Sequence, residues 1–533
     1  MLALASCGGS DQQTLSPQIP APSLPSTTVI SGKASYERVP HDAYNNGLAY
    51  SASFSLPIRG ARVELVADGQ TIEATSTSDT GDFAFEIESD RQVSIRVKAE
   101  SIKSGMPAWD FRVVDNVRGD ALYALTSEIF TARGARMTVD LEAASGWTGS
   151  DYTQPRAAAP FAVLDTIYGA VQNVLRVRGM TEFPALELNW SPQNRPTLGV
   201  VSDGEIGGSF FRAAGSSEIY LLGAANADTD EYDEHIIVHE FTHYLHHHFG
   251  RSDSLGGNHS IDDRLDPRVA FSEGLASAFA AIILGDAQYV DALGFRQAAG
   301  ASINIEDNQL RNPGWYNEGS VQALLYDLYD ARDDEGDSLA LGFAPLFEAL
   351  TGPLRSQTAF VTVHAYLDAL KRAQPAFADS IDQMAAVQRI HTQNSDAYGL
   401  GEWNNARRER GVLPMYLTLP FDGSSIEVCT LAGDSAFGVG NKLGNRRFLR
   451  FTVRDEQAFR TTRIRAEGPA DADPDMVLHR IGIVQSALTA GVGEEVLRRI
   501  FTPGDYVLEV YDYRNITDDP YGDVCFSLSV EVE

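Results

Sequence analysis

The spacing of hydrophobic residues changes twice along this chain, and this change constrains the fold more than any other feature. Alternating patterns typical of β-strands mark residues 28–145, helical spacing marks residues 150–415, and alternation returns in residues 418–533. The chain has 533 residues, whereas a single domain rarely exceeds about 250–300. We therefore predict a multidomain protein, in which an α+β, mostly helical domain lies between two β-sandwiches.

The first alternating region contains a clear hairpin signal. Residues 62–66 and 71–75 alternate on either side of the turn dipeptide Asp68-Gly69. Residues 58–65, followed by 81–85, resemble the carboxypeptidase-regulatory-like domains. That resemblance implies a small β-sandwich of the kind found beside secreted peptidases.

The last alternating region has a similar character. Residues 447–453, 475–479 and 505–511 alternate or are rich in β-branched residues. The run Pro-Gly-Asp-Tyr-Val-Leu-Glu-Val at residues 503–510 resembles the late strand of the bacterial pre-peptidase C-terminal domain. That resemblance implies a β-sandwich appended to an exported peptidase.

The start of the chain and its cysteines predict export. Residues 4–7, Leu-Ala-Ser-Cys, resemble a bacterial lipobox, which implies cleavage before Cys7 and lipidation of that cysteine. Residues 1–27 would then be the lipobox and a flexible tether. Signal peptides run about 15–30 residues and only six residues precede Cys7, so we expect either a start codon assigned too late or a fragment. The remaining pair, Cys429 and Cys525, predicts one disulfide. We expect a protein anchored by lipid at the bacterial outer membrane or cell surface, or a secreted one.

The charge balance narrows the choice of partners. Lys and Arg total 42 against 73 Asp and Glu, a formal net charge of −31. Nucleic acids and anionic lipid surfaces require clustered basic residues, so neither is expected as the main partner. The sequence also lacks an uninterrupted run of about 18 apolar residues, so we expect contact with a membrane through the lipid anchor only.

One helical segment carries an H-E-x-x-H motif, in which Glu240 directly follows His239 and His243 completes the pattern. The helix is predicted to start near Asp233 and to end at Gly250. Residues four apart share a helix face, so both imidazoles can reach one ion. A solvated, charged helix face is the alternative. A catalytic zinc site also needs a third protein ligand and one open position.

The third ligand is expected on the next helical segment, residues 271–284, which is apolar on nearly every face and therefore buried. Glu273 lies in its first turn, and a lone buried carboxylate is costly unless a partner such as a metal compensates it. The preference of helix N-termini for acidic residues is an alternative explanation. Asp262, Asp263 and Asp266 compete as ligands, but their polar loop favours solvent or calcium.

The motif helix, followed about thirty residues later by the Glu-bearing helix, resembles the gluzincin zinc metallopeptidases. More narrowly, the region from residue 233 to residue 330 is similar to a poorly characterised group of bacterial exported proteins with peptidase-like domains. The resemblance implies that His239, His243 and Glu273 bind zinc. It also implies that Glu240 is the general base, which takes a proton from a zinc-activated water and passes it to the leaving amine.

The chain departs from this pattern at one position. Many gluzincins place an Asp four residues after the ligand Glu to orient a histidine, and this chain has Ser277 there. The orienting carboxylate is therefore expected from another element, and Asp327 and Asp330 are candidates.

A donor is also needed for the negative charge that develops on the substrate oxygen. Tyr316, His259 and His235 are candidates. We prefer Tyr316, because residues 312–316 form a turn before a helix from which a side chain can project into a cleft. An ordinary packed tyrosine explains the same pattern. Residues 218–222 form a predicted strand upstream of the motif helix, and zincins use such an edge strand to pair with an extended peptide.

Two other polar runs are weaker candidates. The three consecutive histidines at residues 246–248 fan over different faces of a helix, so they cannot all reach one metal, and we interpret them as mostly surface residues. The acidic run at residues 333–337 resembles part of a calcium loop without its full ligand spacing. Calcium is thus a second candidate cofactor, and a solvated acidic turn is the alternative.

These features predict an exported zinc metalloendopeptidase with peptide or protein substrates. The alternative is a non-catalytic, cell-surface binding lipoprotein whose metal site is structural or vestigial. A hydrolase acting on something other than peptides is a third hypothesis. Zinc is the cofactor that the peptidase hypothesis requires.

Overall fold

A computed structural model describes residues 26–532, except for 214, 307–309, 331–338, 407–410, 434–439, 492 and 518–521. Cys7, nearly all of the predicted tether and the acidic run at 333–337 lie outside the described residues. The predictions for them stay predictions.

The N-terminal region is built from strands. Two of its sheets are centred on the first strand and on the pair of strands at residues 62–67 and 92–98. Their buried residues belong to one hydrophobic core, and Phe83, Phe85 and Ile87 alternate with exposed residues as a half-buried strand requires. The strands are β1 Thr27–Arg38, β2 Phe54–Pro57, β3 Arg62–Ala67, β4 Gln70–Ser76, β5 Asp82–Glu88, β6 Gln92–Lys98, β7 Glu100–Lys103, β8 Trp109–Asp115, β9 Ala121–Leu122, β10 Ala124–Thr126, β11 Phe130–Thr131, β12 Arg136–Thr138 and β13 Leu141–Ala143.

The central region is mostly helical, as the hydrophobic spacing predicts. Its elements are α1 Ala159–Val177, β14 Leu186–Trp190, β15 Phe210–Arg212, β16 Ser217–Leu221, β17 Gly223–Ala224, β18 Asp228–Thr229, α2 Glu234–Phe249, α3 Pro267–Leu284, β19 Gln288–Leu293, β20 Ala299–Asn304, α4 Glu318–Asp327, α5 Phe343–Thr351, α6 Val363–Ala373 and α7 Ala378–Val387. A small sheet in the order β17-β18-β19-β20 lies beside α2 and α3.

One sheet joins the N-terminal and central regions. Its order is β15-β16-β14-β8-β7, with β9 on β8, and β14 runs parallel to both β8 and β16. The strands β7 and β8 come from the region that the sequence assigns to the first sandwich, so the boundary expected at residues 145–150 is not a boundary of the sheet. Phe111 and Val113 on β8 are buried and Arg112 between them is exposed, so one face of this mixed sheet packs on the core.

The outer strand of this sheet differs from the expected one. The predicted edge strand at residues 218–222 overlaps β16, which has a partner on each side, and β15 runs antiparallel to it as the outer strand. Phe210 and Phe211 of β15 border the cleft that is described below.

Helix α3 is buried on nearly every side, as its composition predicts. Its 18 residues have a mean hydropathy of 1.3, high enough for a membrane span, but 89% of them are buried inside the protein. The carboxylate of Asp266 caps the helix by accepting from the Arg268 N–H, and Gly285 ends it in the left-handed conformation. Helix α3 packs between α2 and α4.

The C-terminal region forms a two-sheet sandwich with its own core. The sheets have the orders β21-β23-β28-β25-β26 and β22-β29-β24-β27. Cys429 and Cys525 lie opposite each other on β22 and β29 and form the disulfide that the cysteine count predicts. The strands are β21 Tyr416–Thr418, β22 Ser425–Thr430, β23 Arg446–Val453, β24 Thr461–Glu467, β25 Pro474–His479, β26 Ile483–Ala487, β27 Glu494–Ile500, β28 Gly504–Asp512 and β29 Val524–Val532.

Close packing between α3 and α4 gives a first prediction. A Cβ atom added at Gly274 would lie 2.5 Å from Val321 Cβ and 2.6 Å from the Glu318 carbonyl oxygen. We expect Gly274→Ala to destabilise the protein by about 1–3 kcal/mol through overpacking, more than the roughly 1 kcal/mol that alanine gains in helix propensity. Urea unfolding measures the change. The control is Gly179→Ala, where the nearest atom would be 3.6 Å away. Equal stability of the two variants would contradict this account.

Candidate metal centre

Helix α2 places the motif residues at the floor of an open cleft. One face of the helix is fully buried, with Phe241, Tyr244 and Leu245 inaccessible to solvent. The opposite face carries His239 and His243, one helical turn apart, toward the cleft. The polar and apolar residues of the motif therefore separate onto two faces, and the buried face fixes the orientation of the other.

Three side chains meet at one point. The Nε2 atoms of His239 and His243 lie 3.2 Å apart. The Glu273 Oε2 atom on α3 lies 3.1 Å from His243 Nε2 and 3.4 Å from His239 Nε2. The packing of α2 against α3 thus brings together the three residues that the sequence predicts as metal ligands.

The spacing of these donor atoms fits a tetrahedral metal ion. Zinc bonds of about 2.0–2.1 Å at tetrahedral angles place neighbouring donors about 3.3–3.4 Å apart, close to the three separations given above. Two imidazole nitrogens and one carboxylate oxygen are also donors that zinc takes at catalytic sites with an open position. The residues present therefore fit zinc.

Two serine hydroxyls orient the imidazoles. Ser277 Oγ lies 3.2 Å from His239 Nδ1, and Ser272 Oγ lies 3.3 Å from His243 Nδ1. When each Nδ1–H donates to its hydroxyl, each Nε2 presents a lone pair to the common point. The group expected in this role is a carboxylate, with Asp327 and Asp330 as candidates. Hydroxyls on α3 occupy the position instead.

The electrostatics of the cluster favour a charged carboxylate. Burial opposes the charged form of Glu273, but the neighbouring His243, His239 and His259 together outweigh this effect, so the pKa of Glu273 lies well below its usual value. Burial likewise lowers the pKa of His243, and the Glu273 carboxylate overcomes this effect and raises that pKa. Glu273 therefore stays ionised in a nearly buried position, as a metal ligand must.

His259 lies next to the cluster of His239, His243 and Glu273. Its Nδ1 atom lies 2.6 Å from Glu318 Oε2 at the start of α4, and its Nε2 atom lies 3.5 Å from Glu273 Oε2. Burial lowers the pKa of His259, but the hydrogen bond with Glu318 raises it to about 9. Sequence reasoning gives no signal for Glu318, because the two residues are far apart in the chain and their pairing depends on the tertiary fold.

The cleft above the cluster has a volume of about 1190 Å³. Glu240 lies on its wall beside the two histidines, so it can reach a molecule that approaches them. The other walls are formed by the loop at residues 196–209, the outer strand β15 and the loop at residues 252–259.

The other two candidate oxyanion donors lie apart from this cluster. Tyr316 is buried, and its hydroxyl lies 3.4 Å from both Pro313 O and Asn404 Oδ1. It is therefore a packed tyrosine and does not project into the cleft, contrary to our expectation. His235 is also buried, with Nε2 2.9 Å from the Asp286 carbonyl oxygen. Of the three candidates, His259 faces the cluster.

The competing aspartates have partners of their own. Asp262 pairs with Arg311 at 3.2 Å and Asp263 with Lys442 at 3.0 Å. Asp266 caps α3 and pairs with Arg268. Each of the three aspartates thus pairs with a cation outside the cluster, and Glu273 lies with the two histidines.

The consecutive histidines fan over different faces of α2, as predicted, but not all are surface residues. His247 is exposed and borders the cleft. His248 Nε2 lies 2.6 Å from Ser217 Oγ. His246 is buried against Phe271, and burial lowers its pKa to about 3, so the expectation of a surface position is wrong for this residue.

Comparison with known proteins relates the centre of the chain to peptidases. Residues 183–382 match the family profile described as the Mycolysin C-terminal domain. The matched region includes α2, α3 and α4, and it associates this part of the chain with secreted metallopeptidases. None of the curated proteins compared matches the chain.

Two solved structures show weak likeness. The pre-peptidase C-terminal domain of a collagenase from Bacillus anthracis is 20% identical, over 22% of this chain and 92% of that one, with a TM-score of 0.16. A cycloisomaltooligosaccharide glucanotransferase from Paenibacillus sp., complexed with cycloisomaltoheptaose, is 10% identical over 93% of this chain and 72% of that one, with a TM-score of 0.14. At these TM-scores neither likeness bears on the fold or the activity.

The serine contacts give a second prediction. We expect Ser277→Ala to lower zinc affinity about 10- to 100-fold, because His239 loses the group that fixes its tautomer and ring orientation. Competition with a chromophoric chelator measures this affinity. Ser356→Ala is the control, since that hydroxyl contacts only the local turn at Pro353 among the described hydrogen bonds. Unchanged zinc affinity in the Ser277 variant would show that the hydroxyl does not orient the ligand.

Proposed function

We propose that this chain is an exported zinc metalloendopeptidase, lipid-anchored through Cys7 at the bacterial cell envelope. The observation that carries the proposal is the convergence of His239, His243 and Glu273 beside Glu240 in an open cleft. The match of residues 183–382 to the Mycolysin C-terminal domain supports the same function.

In this proposal His239, His243 and Glu273 hold the metal. Bound zinc supplies Lewis acidity, which polarises a carbonyl group and makes water more acidic. The chain's own residues then do the rest of the chemistry. Glu240 accepts the proton of the attacking water and delivers it to the nitrogen of the leaving amine.

His259 is the proposed donor for the developing oxyanion. Because Glu318 holds its Nδ1 side, its Nε2 atom faces the cluster at the edge of the cleft. A preorganised donor at this position stabilises charge that appears only in the transition state. His259 replaces Tyr316 in this role, since the Tyr316 hydroxyl is buried among Pro313 and Asn404.

The outer strand β15 is the proposed guide for the substrate. It borders the cleft and, among the described residues, pairs with one strand, β16, so its other side can pair with an extended peptide. Main-chain pairing is independent of substrate sequence, and side-chain selectivity would come from the cleft walls. Such a geometry suits an endopeptidase, because the substrate chain can continue past both ends of a short strand.

The role of Glu240 gives a third prediction. Glu240→Gln should keep zinc, because the residue is not a proposed ligand, and should lower turnover of casein by about 10²–10⁴-fold through loss of the general base. Zinc analysis and a casein assay measure the two quantities. Glu234→Gln is the control on the same helix, where the carboxylate pairs with Arg38 at 3.5 Å.

A Glu240→Gln variant that cleaves casein as fast as the wild type would refute the mechanism. Bound zinc with no hydrolysis by the wild type, and no effect of a hydroxamate, would instead favour a binding protein with a structural metal site.

The choice of His259 over Tyr316 gives a fourth prediction. We expect His259→Ala to lower kcat by about 10²–10³-fold, as removal of an oxyanion donor does in other hydrolases. Tyr316→Phe should change kcat by less than about tenfold, because it removes two long hydrogen bonds outside the cleft. Steady-state kinetics on one peptide substrate compares them. The reverse order of effects would restore Tyr316 as the donor.

A further inference from the structure

The segment that carries His259 lies between the cleft and the C-terminal sandwich. We call residues 256–263 the His259 loop. Gly256, Gly257, Asn258 and His259 itself border the cleft. The position of His259 therefore depends on what holds this loop.

Two side chains of the C-terminal sandwich bind the backbone of the loop. Asn441 Nδ2 donates to the carbonyl oxygens of Gly256 and Asn258 at 2.8 and 3.2 Å. Lys442 Nζ donates to the Asn258 carbonyl at 2.8 Å and pairs with Asp263 Oδ2 at 3.0 Å. The Asn258 carbonyl belongs to the peptide group that joins it to His259, so both donors act directly at that bond.

The environment of Lys442 makes this contact specific. The residue is fully buried, and its ammonium group has a carboxylate and a carbonyl as partners. A buried ammonium group is costly unless it is paired and hydrogen-bonded, so this arrangement holds only when the loop is in place. Two backbone hydrogen bonds lie next to the Lys442 contact. The Asp266 N–H donates to Asn441 O at 2.8 Å, and the Leu443 N–H donates to Arg264 O at 2.9 Å.

The opposite side of the loop is held by the start of α4. Asn317 Nδ2 donates to the Ile261 carbonyl at 2.6 Å, and Glu318 contacts His259 Nδ1. The loop thus lies between two supports, one on the helical region and one on the sandwich. Glu318 sets the rotation of the ring, and the sandwich fixes the backbone that carries it.

The same sandwich also anchors the helix that bears Glu273. Arg268, in the first turn of α3, forms two hydrogen bonds with Glu509 of β28, at 3.0 and 3.1 Å. Burial would raise the pKa of Glu509, but Arg268 and the surrounding donors hold it well below its usual value, so the pair is ionic. His479 and Arg446 contact the same carboxylate.

We propose that Asn441 and Lys442 are positioning residues, which hold the peptide group before His259 so that its imidazole faces the metal centre. The C-terminal sandwich is then part of the catalytic unit and not a separate appended module. This inference rests on the proposed peptidase function and on the role given there to His259.

The test compares full-length variants by two independent measurements. Hydrogen–deuterium exchange of residues 256–263 reports the loop without reference to activity. Zinc content, kcat and KM on a peptide substrate report the site. The variants are Asn441→Ala, Lys442→Met and the conservative Lys442→Arg. The control is Arg465→Ala, which breaks an ion pair with Glu467 and Glu494 within the sandwich.

We expect Asn441→Ala and Lys442→Met to speed hydrogen exchange of the loop and to lower kcat at least about tenfold, because small displacements of a positioned group can cost up to about 100-fold in rate. Zinc content should not change, and KM should stay within about threefold of the wild-type value. Lys442→Arg should restore most of the kcat, and Arg465→Ala should match the wild type. A merely structural role would lower the folded fraction and zinc content together without slowing the turnover of the folded enzyme.

Two results would overturn the inference. One is loop exchange that matches the wild type in both disrupting variants, and the other is faster exchange with unchanged kcat. If Lys442→Met fails to fold, the Asn441→Ala variant, which changes no charge, tests the inference by the same measurements. A wild-type protein that binds zinc but cleaves no peptide refutes the proposed function instead, and the exchange data then still show whether the sandwich holds the loop.

Discussion

The arrangement of this protein depends on three lone-pair donors that face one another at little more than 3 Å. Two imidazole nitrogens and one carboxylate oxygen would repel at that separation unless protons or a cation lie between them. Packing forces them together, because α2 and α3 each bury their remaining faces in one core. The serine hydroxyls contact both imidazoles from α3, and Arg268 links the start of that helix to the sandwich.

The parts of this site that lie on single helices could be predicted from the sequence. The spacing of His239 and His243 fixes their common face, and the apolar residues around Glu273 indicate that its helix is buried. Strand patterns likewise indicate both alternating regions, and the cysteine count indicates the disulfide between Cys429 and Cys525. Local periodicity carries most of this information, since it follows directly from helix and strand geometry.

The parts that depend on long-range pairing could not be predicted. Nothing local shows that β8 pairs with β14, or that β15 lies outside β16, because a buried strand pattern does not name its partner. The expected projection of Tyr316 into the cleft is not seen, for the same reason. A turn before a helix favours Tyr316, whereas the contact between His259 and Glu318 forms only when a loop folds onto α4. Ser277 stands out in the sequence as a departure, but nothing local shows that its hydroxyl takes the place of a carboxylate.

The shared sheet bears on whether the N-terminal region could be cut away as a unit. Many secreted proteases are held latent by an N-terminal segment that is later excised. Here excision anywhere between β8 and α1 would withdraw a strand that is paired on both sides, with its aromatic side chains in the common core. Removal of the whole N-terminal region would therefore take an inner strand out of the sheet whose outer strand, β15, borders the cleft.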